Sequence, residues 1–291
     1  KYGVCDQRQT GRQHYYEYTL KGDGIETWHP RFSYYGFRYI QVEGAVLEGQ
    51  VNPHQLPVIK KLNSCFIYNS APEVSTFECS NPLFTQTHRL IERAERSNMQ
   101  AVFTDCPHRE KLGWLEQDHL CGPSLLYNYN ITSLVPKVIR DITDTQKTDG
   151  MVPTTAPQYV SFGNLFDDSP EWGSTLIILP FMYYDFYGDS TLIIRNYSAM
   201  KRYADYLESR ATDGIVSHGL GDWYDYGPWR AGFSRNTPIP LVATAHYIYD
   251  LQLLCKAAQM TNQPKDKKML EPRLDIVTTA FNRTFYKADS C

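Results

Sequence analysis

The feature that most limits the architecture is an alternation of connector lengths. A helix can open at "SNPLF", where Ser80 or Asn81 caps and Pro82 takes the first position, its missing N–H costing nothing there. Leu83, Leu90, Ile91 and Ala94 give that helix an apolar side, with Arg89, Glu92, Arg93, Glu95 and Arg96 mostly elsewhere. Further helical stretches fall at roughly 115–129, 132–146, 174–188, 190–210, 240–260 and 266–286. Some are joined by short turns such as "YGDS" and "NQPK", others by long Trp-, Pro- and Gly-rich loops at 147–173 and 211–239. Short turns on one side and long loops on the other describe helical hairpins whose loops share one face. Long structured loops in a compact domain are usually functional. The pattern therefore predicts a mainly α chain, part of an α/α toroid with its site where the long loops converge. About seven helices are too few for a twelve-helix toroid, so the chain is expected to be incomplete at both ends. An open seam should then leave Leu270, Leu274, Val277 and Phe281 uncovered.

The first seventy residues read differently. "HYYEYTLKG" and "FRYIQVEGA" alternate in character and are rich in aromatic and β-branched residues, with Gly, Asp and Pro between them. These are too few strands to close a sandwich, so residues 1–72 are read as the end of a β-sandwich domain plus linker, and 73–291 as the start of the helical domain.

Net charge −3 leaves no basic stripe for nucleic acid, and a mean hydropathy of −0.46 with no long apolar run argues against a membrane span. Seven cysteines, all dispersed and without a C-x-x-C pair, fit neither a disulfide framework nor a zinc cluster, and no cofactor is expected. The chain is 14% aromatic, with 22 Tyr, 13 Phe and 5 Trp. Rings that line a surface can stack on the apolar C–H faces of sugars, so carbohydrate is one candidate partner, and an aromatic-rich core is the equal alternative.

Chemistry concentrates in "VFTDCPHREKLGWLEQDHL", residues 102–120. A metal site fails on spacing: His108 and His119 are separated by a Gly-Trp break, and nothing resembles H-E-x-x-H. A Cys106 thiolate would need a base, but triad partners usually come from distant segments, so a buried structural cysteine is the better reading. A carboxylate site has more in its favour. Glu110 next to Arg109 could serve as an acid if burial beside Trp114, or the nearby Asp105, raised its pKa. Arg109 would oppose that by pairing with Glu110, so it is expected on Asp105 or a substrate hydroxyl. On the residues alone, a solvated charged loop stands level with this reading.

"TDCPHREKLGW" resembles the signature of the α-L-rhamnosidases of glycoside hydrolase family 78, in the shorter form that lacks one acidic residue before the basic one. "YYGFRYIQVEG" resembles the β-domain end before that family's barrel, and "TDGMVPTTAP", "DSPEWGS" and "GLGDWYDYGP" resemble its successive loops. The resemblance implies an (α/α)6 barrel that hydrolyses terminal α-L-rhamnosides with inversion. It makes Glu110 the general acid and places Asp105 and Arg109 on the rhamnose hydroxyls. Trp114, Trp172 and Trp223 would wall the pocket, Asp222 would be a polar contact, and Glu116 would stand in for an acidic residue after the Gly-Trp. Because their loops fall on the presumed same face, Asp105, Arg109, Glu110, Trp114, Trp172 and Trp223 are expected to gather at one cavity. The resemblance also implies that the general base lies in a segment this chain does not reach if Cys291 is its end. Were the chain to act alone, the base would be sought among Glu116, Glu171 and Asp222.

Each residue also has a plainer reading. Trp114 could staple a helix start, Trp172 with Glu171 could belong to a helix-entry loop, and Asp222 could cap a turn. Other functions stay open: a lyase that cleaves rhamnose from glucuronate on a similar barrel, or a non-catalytic carbohydrate-binding relative. Oligomeric state is not legible. A periplasmic or secreted bacterial location is expected from the family alone, because the sequons at Asn130, Asn196 and Asn282 are too short to prove export.

Overall fold

A computed structural model describes residues 4–8, 13–163 and 166–287; Cys291 lies outside the described residues. Before residue 80 the described chain is mostly extended, and its strands are two residues long, β1 (Val46–Leu47) and β2 (Val58–Ile59), paired in parallel. The β-rich segments "HYYEYTLKG" and "FRYIQVEGA" therefore run without ladder partners. They are held by ring contacts instead, with Tyr16 and Tyr18 against Trp28, and Tyr35 on His14 and Tyr16.

Helix α1 (Pro82–Asn98) begins as expected, with the Asn81 side chain accepting from the Leu83 N–H at 3.0 Å. Its apolar side is another matter. No residue of α1 is buried, and Leu83, Leu90 and Ile91 are exposed. The helix is tied to the domain by polar contacts: Tyr129 donates to the Glu92 carbonyl at 3.0 Å, Asn128 to the Glu95 carboxylate at 2.9 Å, and Arg96 pairs with Glu73.

The stretch expected as one helix over 115–129 is two, α2 (Glu116–Leu120) and α3 (Gly122–Asn128). Pro123 can only begin a helix, and Gly122 sits where a Cβ would come within 2.7 Å of Met182. After α4 (Leu134–Thr145), a single turn, α5 (Pro170–Gly173), leads into α6 (Thr175–Tyr187). Helix α6 is apolar all round and buried from Thr175 to Phe181, as a helix with no polar stripe must be. It is the axis of the domain, packed by α2, α3, α4, α5, α7 (Thr191–Arg210) and α8 (Ile239–Met260).

The two short turns hold. Gly188 ends α6 in the left-handed conformation (φ 69°), which only glycine adopts freely, and Asp189 caps α7 through the Thr191 N–H at 2.8 Å. Helices α8 and α9 (Pro264–Phe285) form the tightest hairpin. Its packing corrects the seam expectation: Leu270 and Val277 are buried against the rest of the domain and Leu274 packs on its core, while Met269 and Ile276 face outward. Phe281, the fourth residue of the expected stripe, stays half-exposed against Phe285, so the stripe is covered at three of its four positions.

Candidate active site

Three connectors meet at the end of the domain where α5 and α6 begin. Main-chain bonds fasten the loop after residue 102 to the first long connector: Leu115 N–H to Thr154 O at 2.9 Å and Ala156 N–H to Gly113 O at 3.0 Å. The approach is close enough that a Cβ on Gly113 would lie 2.5 Å from the Ala156 carbonyl oxygen, so only glycine fits. The second long connector joins through the Leu220 N–H, which donates to the Ser169 hydroxyl at 2.8 Å. The long loops thus converge on one face, as their placement predicts.

Within the first loop Asp105 closes its own turn, its Oδ1 accepting from the Leu112 N–H at 3.2 Å. Cys106 Sγ accepts the Glu110 N–H at 3.2 Å, so this cysteine is an acceptor within the turn, but it is half-buried and not buried as expected, because the turn lies at the surface. Glu110 is pinned through both oxygens: Oε2 accepts from the Trp114 indole N–H at 3.0 Å and Oε1 meets the Arg109 guanidinium at 3.0 Å. That overturns the expected partner of Arg109. Asp105 accepts from Leu112 through Oδ1, while the turn places the guanidinium against Glu110, the next residue. Both side chains of the pair are open to solvent, so it orients Glu110 more than it stabilises the fold.

The aromatics form an arc. Trp114 is stacked on Phe162 at 5.3 Å and meets Trp172 edge-on at 6.5 Å; Phe166 stands between Phe162 (6.4 Å) and Trp223 (5.3 Å), with Phe233 5.3 Å from Trp223. Trp114 and Trp223 are half-buried, but Trp172 is 3% exposed and belongs to the core. It backs Trp114 from behind, which corrects its expected place on the pocket wall. The face is open. A groove of about 650 Å³ lies elsewhere, between the second halves of α6 and α8, lined by Phe181, Met182, Tyr249 and Leu253 and by none of the site residues.

Beside the arc lies a second group of carboxyls. Glu116 opens α2, and burial, followed by the charges of Glu171 and Asp222, pushes its pKa up to about 8. Glu171, in α5, is 1% exposed, and burial raises it to about 7 against the opposing pull of the Ser169 hydroxyl, which donates to its Oε2. Its Oε1 is buried without a partner. Asp222 is exposed on the second long loop. The sequence marks Glu171 only as a neighbour of Trp172 and as a fallback base; its seclusion depends on how α5 docks under Gly219, where a Cβ would lie 2.9 Å from Glu171 Oε2. His119, the bystander by spacing, is one here: it is buried, its Nε2 is 2.8 Å from the Glu171 carbonyl, and burial lowers its pKa to about 4. Among the described residues no three His, Cys, Asp or Glu side chains are grouped to hold a metal ion.

Comparisons with known proteins bear on the family and the fold. Residues 72–290 match the bacterial alpha-L-rhamnosidase 6 hairpin glycosidase domain, and residues 1–67 the bacterial alpha-L-rhamnosidase concanavalin-like domain. An alpha-L-rhamnosidase of Formosa agariphila is 30% identical over 94% of this chain, which spans 29% of that protein. The fold resembles a Streptomyces avermitilis alpha-L-rhamnosidase complexed with L-rhamnose (TM-score 0.68, 26% identity, 76% of this chain and 21% of that one). It also resembles a native enzyme of Aspergillus terreus (TM-score 0.79, 23% identity, 94% of this chain and 31% of that one). The chain spans less than a third of the length of the curated relatives it matches. A mainly helical domain of paired helices, a DCP-type loop at its site face and a family match across three-quarters of its residues lead to one conclusion: the chain belongs to the bacterial α-L-rhamnosidase family, with residues 72–290 in its six-hairpin glycosidase domain.

Proposed function

We propose that this chain carries the acid-bearing part of an inverting α-L-rhamnosidase, with the boundary between its β-type and helical domains near residue 72. The observation that carries the reading is the placement of Glu110 at the edge of the aromatic arc, its carboxyl held by the Trp114 indole. The Arg109 guanidinium on its other oxygen opposes protonation, so the reading requires Arg109 to move onto a sugar hydroxyl when substrate binds. A sugar laid by its C–H face against the arc, beside the Trp114 ring on which Phe162 is already stacked, would bring its glycosidic oxygen to that carboxyl. Glu110 would pass its proton to the leaving oxygen as the bond to the anomeric carbon breaks, and water would attack the opposite face.

The water needs a carboxylate base roughly 6.5–9.5 Å from the acid. Glu116 does not suit that task. With a pKa near 8 it is largely protonated at neutral pH, which makes it a hydrogen-bond donor to a sugar hydroxyl. Glu171 is sealed from solvent. These arguments set aside Glu116 and Glu171 and leave the exposed Asp222 as the remaining fallback. The reading assigns Asp222, with Asp105 and Arg109, to polar contact and takes the base from outside residues 1–291. No helix among the described residues is long and apolar enough to cross a membrane, and a periplasmic or secreted site of action is part of the same proposal.

The test is product analysis with the full-length protein on a terminal α-L-rhamnoside. The expected first product is β-L-rhamnose, seen by its anomeric proton before mutarotation. An ultraviolet-absorbing unsaturated uronate would mark a lyase, and rhamnose binding without turnover would mark a binding relative.

A further inference from the structure

The turn that carries Glu110 is gripped from outside the helical domain. Lys111, the next residue, has a left-handed backbone (φ 57°), a conformation unfavourable for any side chain with a Cβ. Its own side chain leaves the site and crosses to the N-terminal region. There Nζ donates to the Tyr34 carbonyl at 2.7 Å and sits 4.8 and 4.7 Å from the ring centres of Tyr34 and Tyr35. Tyr35 is in turn stacked on His14 at 4.4 Å and tilted against Tyr16 at 5.0 Å, so the ring is braced. The same corner touches the other end of the turn: a Cβ on Gly36 would lie 2.9 Å from His108 Cβ and 3.5 Å from the Pro107 carbonyl oxygen. Residues 34–36 therefore hold the turn at both 107–108 and 111, with Glu110 between.

We propose that Lys111 is a positioning residue: clamped by Tyr34 and Tyr35, it fixes the left-handed turn that aims Glu110 at the glycosidic oxygen. The ammonium performs no chemistry on the substrate. It couples the region matched by the concanavalin-like family to the acid of the six-hairpin domain. The clamp rests on the reading of Glu110 as the acid, and the experiment separates the two.

In the full-length protein, Lys111→Met keeps the apolar stem and removes the charge. The expected result is a kcat on natural rhamnosides lower by about 10- to 100-fold with KM nearly unchanged, the scale of a misplaced catalytic group. The loss on nitrophenyl rhamnoside should be smaller, and Lys111→Arg should recover most of the rate. Adding Lys111→Met to Glu110→Gln should cost nothing further, since the lysine acts through Glu110. Amide hydrogen exchange across residues 106–112 should quicken at least about tenfold while the helices keep their protection. Wild-type exchange in that segment, or a full additional loss in the double variant, overturns the proposal. If Glu110→Gln alone shows no dependence on the leaving group, the acid assignment fails, and the exchange data still decide the clamp. Should Lys111→Met not fold, Tyr35→Leu removes one ring and leaves the carbonyl bond; it should show the same changes in weaker form, and their absence overturns the proposal equally.

Discussion

Glu110 and Glu116 stand six positions apart on the same face, yet their surroundings are opposite. Glu110 lies at the surface between a guanidinium and an indole N–H, both supplied by its own loop. Glu116 is turned inward, and burial first, then the charges of Glu171 and Asp222, pushes its pKa up to about 8. The same side chain is thus an open, ion-paired carboxyl at one position and an inward-turned one with a raised pKa at the other. Environment assigns the task, as it does wherever two carboxyls share a site.

The comparison breaks first at Glu110. Glu110→Gln should lower turnover of natural rhamnosides by about 100- to 10,000-fold, the usual range for a lost general acid, with a smaller loss on nitrophenyl rhamnoside. If that leaving-group signature appears in Glu116→Gln instead, the two roles are reversed, and kinetics on the two substrates would show it directly. The support behind the surface group comes next. Trp172→Ala opens a cavity behind Trp114 and should destabilise the domain by about 3–5 kcal/mol in denaturant titration.

The buried group should be visible in the pH dependence of stability. A carboxyl whose folded pKa is raised binds more protons folded than unfolded between its usual value and its folded one. Its stabilising contribution is therefore complete below pH 4.5 and is lost as pH rises toward 8 for Glu116 and toward 7 for Glu171. The double variant Glu116→Gln, Glu171→Gln should flatten the fall in Tm between pH 5 and 8 and gain several degrees at pH 8, with little effect at pH 4.5. A parallel fall in both proteins would place the titration elsewhere. The smallest effect belongs to Ser169→Ala. Losing the hydroxyl should push the Glu171 pKa further up, as read by carboxyl carbon NMR, at a cost of about 1 kcal/mol.

The legible and the hidden parts of this molecule divide along the same line. Helix starts, the two short turns and the convergence of the long loops follow from local rules: a Pro at a first position, a Gly at a helix end, an Asp two residues before Thr191. The motif likewise put Glu110 beside Trp114. What sequence spacing could not give was which side of a residue the fold would cover. Trp172 reads as a pocket wall until α5 docks and puts it in the core. Arg109 has Asp105 within reach by sequence, but the turn sets its guanidinium on Glu110. The apolar side of α1 predicts burial, and tethers such as Asn128 to Glu95 leave it outside. Each of these turns on long-range neighbours, which a linear pattern does not name.

The division of labour between α6 and the loops has a consequence for how such a chain can change. Helix α6 packs on α2, α3, α4, α5, α7 and α8, and α8 on α7 and α9, while Glu110, Trp114, Asp222 and Trp223 arrive on connectors fastened by a few main-chain bonds and ring contacts. Substitutions at the exposed positions of the loop segments 158–163 and 222–236 can therefore accumulate without repacking the interior. A library confined to those two segments is the natural material for selecting variants that accept other sugars, with the helical scaffold inherited intact.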